Sequence, residues 1–306
     1  MISGIVGYKT NKYSNLLFLW FCTLFYSINI HFVYKIFKPI SIEKKTIFRQ
    51  FCPIVFSNYW YMTKYFGMYL FLPIINNGIA NISKGDLKII ILSFLGIFIV
   101  WRDYMTNGDP FKFANGHSVV SFLVLYIIGA YLGKYKIDIN RFLFKLIFCC
   151  VCVIVFFSSS LLCFYLSYYR GKYSNLKIII KMKQLLCQRI NSIAMISQAI
   201  SIILFFSQIK YPKFIGKIIT FLGPLTFGVY LIHVHEYIIS NFFSNLFIKD
   251  PYNLSLQKVM FLVLYRGILI FFICSLIDYF RHLIFRFFKV RKICIFLENT
   301  VKKSFN

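Results

Sequence analysis

The chain has 306 residues, of which 59% are apolar and 14% charged, and it carries a net charge of +26. Soluble domains run at about 45–50% apolar and about 25% charged, so with a mean hydropathy of +0.71 the composition excludes a disordered chain, a coiled coil and an ordinary soluble enzyme. It predicts an all-α polytopic membrane protein whose basic residues flank helix ends, with the lipid bilayer as its first partner and no nucleic acid: there is no RNP signature, zinc-finger spacing or separate basic domain.

Residues 1–15 contain no charged n-region with a cleavage site, and Ile2–Gly7 reads as the end of a helix rather than its beginning. A bilayer-crossing helix needs about 20 mostly apolar residues. Eight segments fit: 16–37, 58–76, 87–102, 117–133, 141–166, 193–209, 221–240 and 259–280. No soluble domain fits between them. Residues 1–306 therefore read as a single integral membrane domain, with a basic cytoplasmic tail at about 281–306 that includes Arg281, Arg286, Lys289, Arg291, Lys292, Lys302 and Lys303. The loops on the two sides carry 18 and 15 Lys/Arg. The larger count, tipped by this tail, puts both termini in the cytoplasm. The basic loop between the fifth and sixth spans, with LKIIIKMKQLL, then lies outside and reads as an interfacial segment.

Ionisable groups inside apolar spans are expensive and flag function. His31, near the outer end of the first span among apolar and aromatic neighbours, reads as a satisfied structural histidine. Lys64 in the second span reads either as a snorkelling lysine or as a cation for a substrate carboxylate or phosphate. Asp103, Asp109 and His117 gather at the next outer loop, which carries Asn107-Gly108 and Asp109-Pro110 turn signals. Cys149 and Cys152, in the middle of an apolar run, read as small apolar residues and not as a metal or disulfide motif. The sharpest cluster is GPLTFGVYLIHVHE, residues 223–236. There His233 and Glu236 are i and i+3, which puts them on one helical face. A carboxylate beside an imidazole suits general acid–base work, and an interfacial histidine pair is the plainer alternative.

Three stretches carry a resemblance. They are NYWYMTKYFGMYLFLPIIN at 58–76, DPFKFANGHSVVSFLVLYIIGAYLGKY at 109–135 and FLGPLTFGVYLIHVHEYI at 221–238. Together, in this order, the chain resembles the membrane-bound acyltransferase 3 family, of the surface-polysaccharide O-acetyltransferase type. The family core has about ten helices, and its first carries an Arg and a His tied to catalysis. Ile2-Ser3-Gly4 is similar to the motif that ends the second helix, so the expectation is a chain lacking the first two helices, with His31 on the next helix and no substitute for the missing base.

The resemblance implies an acyltransferase that moves an acyl group, acetyl first of all, onto a hydroxyl of a cell-surface or extracellular polysaccharide, presented as a glycan or lipid-linked glycan. It implies acetyl-CoA or another acyl-CoA as donor, with no bound cofactor or metal, in a multi-pass protein of the bacterial plasma membrane that could form a homo-oligomer. His233 and Glu236 are then the catalytic candidates. Trp60, Lys64, Tyr65, Asn76 and His117 are the substrate-binding candidates, although Lys64 stands where the family commonly has a small apolar residue. The alternatives are an inactive remnant of such an enzyme and, behind it, a polysaccharide transporter or polymerase, which would call for internal repeats or a large outer loop.

Overall fold

The computed structural model describes residues 1–9, 12–37, 44–101, 113–136, 142–172, 192–243 and 254–305. Asp103, Asp109 and the LKIIIKMKQLL segment lie outside them. All regular structure among these residues is helical: α1 (Ile2–Gly7), α2 (Tyr13–Phe37), α3 (Lys44–Phe51), α4 (Trp60–Asn81), α5 (Lys84–Ser93, passing into a π-helical stretch Phe94–Trp101), α6 (Val119–Lys134), α7 (Phe142–Lys172), α8 (Ile193–Ser207), α9 (Lys213–Leu222), α10 (Leu225–His233), α11 (Glu236–Ile238, followed by a π turn Ile239–Phe243), α12 (Leu256–Phe287) and α13 (Val290–Phe305).

Four described stretches are long and apolar enough to cross a bilayer: Tyr13–Phe37, Phe142–Leu166, Lys213–His233 and Gln257–Phe287. They match the expected spans at 16–37, 141–166 and 259–280; the expected span at 221–240 is shifted, the apolar helical stretch running from Lys213 to His233 and ending before residues 234–240. The spans expected at 117–133 and 193–209 are the shorter apolar helices α6 and α8, and those at 58–76 and 87–102 are the helical stretches α4 and α5 with its π extension. The protein is an all-α polytopic membrane protein. Its surface agrees: α7 exposes Phe142, Leu143, Ile154 and Phe157, and α12 exposes Phe261, Leu264, Phe272 and Leu276, rows of large apolar side chains that water would not tolerate.

The chain folds as two compact units: residues 1–11 with 67–210, and residues 12–66 with 211–306. In the first, α1 lies against α6 with backbone on backbone. A Cβ at Gly4 would collide with the Tyr126 carbonyl, one at Gly129 with the Met1 carbonyl and one at Gly133 with Ile5. Gly129 and Gly133 form a G-x-x-x-G stripe, which allows such close approach in a bilayer. Asn76 locks the arrangement, accepting the Tyr126 hydroxyl at 2.7 Å and donating to the Gly7 carbonyl at 3.2 Å. The Lys134 ammonium donates to the Ile79, Ala80 and Ile82 carbonyls and so closes the C-terminus of α4.

The second unit is built on a buried ion pair. Arg281 donates from Nε and Nη2 to the two oxygens of Asp278, each at 2.7 Å, and Tyr26 of α2 donates its hydroxyl to Asp278 Oδ1 at 2.7 Å. Asp278 is fully buried and Arg281 nearly so. The fit leaves no slack, since a Cβ at Gly228 of α10 would fall on the carboxylate. This corrects one reading: Arg281 is not a tail residue, because α12 continues to Phe287 and carries it into the interior. Beyond Phe287 the tail is itself helical. Glu298 of α13 accepts the Tyr13 and Ser14 amides at 3.2 and 2.8 Å, capping α2 from 284 residues away, and receives Lys302 at 2.7 Å. Burial would raise its carboxyl, but the hydrogen bonds from Lys302 and Ser14 prevail and hold it down to about 2.

Asp278→Asn is expected to strand the buried Arg281 charge and to destabilise the protein by about 3–5 kcal/mol, read as a lowered unfolding temperature and loss of monodispersity in detergent. The Glu298 contribution has a defined sign. Its folded carboxyl lies below the ordinary 4.5, so stability is complete above about 4.5 and is lost as pH falls towards about 2. Unfolding temperature measured against pH should show this acid loss in the wild type, and a smaller one in Glu298→Gln.

Candidate functional site

Of the buried side-chain polar atoms without a hydrogen-bond partner among the described residues, His31 Nδ1 and the Tyr59 and Tyr230 hydroxyls gather in the second unit where α10 ends, while Arg266 Nη1 and Ser275 Oγ lie on α12. Helix α10 stops at His233 because the chain turns at Val234 and His235, and His235 then caps α11, its Nδ1 accepting the Tyr237 amide at 3.3 Å. His233 and Glu236 therefore do not share one continuous helical face, which corrects the i, i+3 argument. His233 is half-buried and Glu236 exposed. The His233 Nδ1 meets the Val229 carbonyl at 2.7 Å. As the donor in that bond it leaves Nε2 as the basic nitrogen of the neutral ring, the orientation a general base requires.

His31 of α2 enters the same neighbourhood. It is 4% exposed, and its ring lies 5.8 Å from that of Tyr237, which in turn sits 5.2 Å from His235 and stacks on Tyr34 at 4.4 Å. Tyr59, fully buried, lies 6.0 Å from the His235 ring. Neither His31 Nδ1 nor the Tyr59 hydroxyl has a hydrogen-bond partner among the described residues. His31 is thus buried as expected but not satisfied. An unpaired buried polar atom costs about 1–3 kcal/mol, so three in one neighbourhood, the Tyr230 hydroxyl included, mark a place where a polar ligand would be welcome. His235 lies past the Lys213–His233 span. Burial, and secondarily the charge of His31, hold its imidazole down to about 4, so it is neutral at physiological pH.

The candidates at the start of α4 join this neighbourhood through aromatic contacts. Trp60 meets Tyr61 edge-on, Tyr65 stacks on Tyr61 at 6.1 Å, Tyr61 meets Tyr230 at 5.4 Å and Tyr230 meets His233 at 6.2 Å. Lys64 follows in the same turns, half-buried. An apolar cavity of about 350 Å³ lies alongside, walled by Tyr26, Ile30, Tyr34, Ile232, Tyr237 and Ile277. That volume is at the small end of ligand pockets.

The other two candidates belong to the first unit. Asn76 uses its amide in the α1–α6 lock. His117 sits on a tight turn after the left-handed residues Ala114 and Asn115, its Nδ1 3.0 Å from the Ala114 carbonyl. The next residue, Ser118, caps α6 by accepting the Ser121 amide. Sequence reasoning passed over Tyr59, Tyr237 and the importance of His235. Their aromatic types were visible, but only the tertiary structure brings Tyr237, after the helix break at Val234–His235, beside His31, and Tyr59 beside His235.

The sequence matches a family model described as an acyltransferase domain over residues 6–292. No curated protein and no solved structure matches it.

Tyr59→Phe removes a buried hydroxyl without a partner and nothing else. It is expected to unfold at the same or a higher temperature than the wild type, with a gain of up to about 1–3 kcal/mol. A clear loss of stability would show that the hydroxyl is paired.

Proposed function

The chain belongs to the acyltransferase 3 family and is a membrane acyltransferase, and from that premise we propose that it transfers an acyl group, acetyl first of all, from an acyl-CoA donor to a hydroxyl of a cell-surface polysaccharide at the bacterial plasma membrane. The match over nearly the whole chain carries the reading. The cluster at the end of α10 supports it by offering what the chemistry needs: an imidazole held through one ring nitrogen, buried polar atoms without partners, and an apolar cavity beside them.

In this reading His233 is the base. Its Nδ1 is held by the Val229 carbonyl, so Nε2 takes the proton of the acceptor hydroxyl as the hydroxyl oxygen attacks the thioester carbonyl. The tetrahedral intermediate collapses with cleavage of the C–S bond, and the same imidazolium returns its proton to the leaving thiolate. The Tyr59 hydroxyl, buried in a site of low dielectric, is a donor for the oxyanion. Glu236, exposed one turn beyond His233, steadies the imidazolium electrostatically. Trp60, Lys64 and Tyr65 form the acceptor side, the aromatic faces suiting a sugar ring. The apolar cavity accepts the hydrocarbon part of a lipid-linked acceptor.

The test is the O-acetyl signal of the surface glycan in proton NMR, in cells deleted for the gene and complemented with variants. Wild type is expected to restore the signal. His233→Ala should lower the transfer rate by about 10²–10⁴-fold, the usual contribution of a general base, at unchanged unfolding temperature. A glycan whose acylation is the same with and without the gene would exclude the polysaccharide acceptor. Full activity in His233→Ala would exclude the assigned base.

A further inference from the structure

His233 and His235 stand two residues apart, and the backbone holds their rings in opposite tautomers. His233 Nδ1 meets the Val229 carbonyl at 2.7 Å. A carbonyl can only accept, so that nitrogen carries the proton, and Nε2 of the neutral ring keeps its lone pair. His235 Nδ1 meets the Tyr237 amide at 3.3 Å, and an amide N–H can only donate. Here Nδ1 uses its lone pair, so the proton of the neutral ring sits on Nε2. Protonating Nδ1 as well would set N–H against N–H and break the cap of α11. Burial acts in the same direction and, with the charge of His31 second, holds this imidazole down to about 4. His235 is therefore a neutral ring that presents Nε2–H.

Capping α11 accounts for one nitrogen of His235 and leaves the other to be explained. Among the described residues the ring has no further hydrogen-bond partner, although the residue is buried. A donor in such surroundings is costly until it finds an acceptor. Beside it, with ring centroids 6.0 Å apart, lies Tyr59, whose buried hydroxyl has no partner either. Two unused neutral donors thus lie next to each other, and two residues along the chain is an imidazole that presents a lone pair. Acyl transfer needs these parts: a base for the attacking hydroxyl, and donors for the oxygen on which negative charge develops. The neutrality of His235 also matters. His233 becomes a cation when it takes a proton, and a second cation so close would oppose that step, whereas a neutral donor does not.

We propose that His235 is a second catalytic residue of the acyl transfer, its Nε2–H donating, together with the Tyr59 hydroxyl, to the thioester oxygen as that oxygen becomes an oxyanion. The assignment rests on the acyl-transfer reading above and gives its oxyanion site a second donor. As the acceptor hydroxyl oxygen bonds to the carbonyl carbon, the C=O π pair moves onto the carbonyl oxygen, and His233 Nε2 takes the hydroxyl proton. His235 gives a hydrogen bond and keeps its own proton. When the C–S bond breaks, the C=O bond re-forms, the thiolate takes the proton back from His233, and His235 ends as it began.

Two substitutions separate the two nitrogens. His235→Asn keeps an acceptor for the Tyr237 amide, asparagine being a favoured cap, but has no donor as far out as Nε2. His235→Gln carries its amide nitrogen out towards the position of Nε2 and gives up the short capping geometry. Membranes from cells deleted for the gene and complemented with each full-length variant are given radiolabelled acetyl-CoA, and the initial rate of label transfer to their own glycan is measured. His235→Asn should lose about 10²–10³-fold, the usual effect of removing one oxyanion donor, at the wild-type unfolding temperature. His235→Gln should recover most of that loss. Wild-type membranes that transfer no label overturn the acyl-transfer reading and this role with it. Wild-type transfer that His235→Asn leaves at full rate, or that a folded His235→Gln loses as completely as His235→Asn, overturns the role alone. A second measurement needs no turnover: nitrogen NMR of the purified full chain with isotope-labelled histidine, the His235 signals being those absent from His235→Asn. A protonated Nε2 with a bare Nδ1 at neutral pH is expected, and a proton on Nδ1, alone or with one on Nε2, overturns the proposal.

Discussion

A fully buried carboxylate inside a membrane protein has to be answered at every lone pair, and the second unit is organised around doing so. Asp278 receives two hydrogen bonds from Arg281 and one from Tyr26. Each ion would cost several kcal/mol if left alone in such surroundings. The pair therefore dictates its neighbours. Tyr26 fixes the register of α2 against α12, Gly228 lets α10 approach the carboxylate, and Phe285 offers its ring to the guanidinium at 5.1 Å. The packing of Phe18 and Phe25 on Phe285 follows from that placement.

The first unit uses the opposite device. Where apolar helices meet in lipid there is little hydrophobic gain from association, so contact must come from close packing and hydrogen bonds. Gly4, Gly129 and Gly133 supply the first, and Asn76 with Tyr126 supplies the second. Here the polar groups are spent on structure. In the second unit several are left over: Arg266 Nη1 and Ser275 Oγ on α12, and, grouped around the end of α10, His31 Nδ1 and the Tyr59 and Tyr230 hydroxyls, have no partner among the described residues. That contrast between spent and unspent polar atoms is the physical reason for seeking the chemistry at the end of α10.

The helical, membrane-embedded character was legible because apolar runs are local and need no partner to be recognised. The cluster at residues 223–236 was legible as well, since ionisable side chains in an apolar run stand out. The face expected for His233 and Glu236 was misread, because a 3.6-residue period was extended through a helix break at Val234 and His235. Arg281 was misread for a related reason. A span of standard length ends near residue 280, whereas α12 runs to Phe287 and uses the carboxylate of Asp278 to take the arginine inside.

The sequence by itself determined that this chain is helical, that it lives in a bilayer and that it belongs with acyl-transferring membrane proteins, since each of these depends on composition and on motifs read along the chain. Only the tertiary structure decided which polar group meets which. Tyr26 finds Asp278 across 252 residues, and Glu298 finds the α2 amides across 284. The same is true of the meeting of His31 with Tyr237 and of Tyr59 with His235. The physical reason is that a polar group in a medium without water has to find its partner within the protein, and the partner's distance along the chain leaves no local trace.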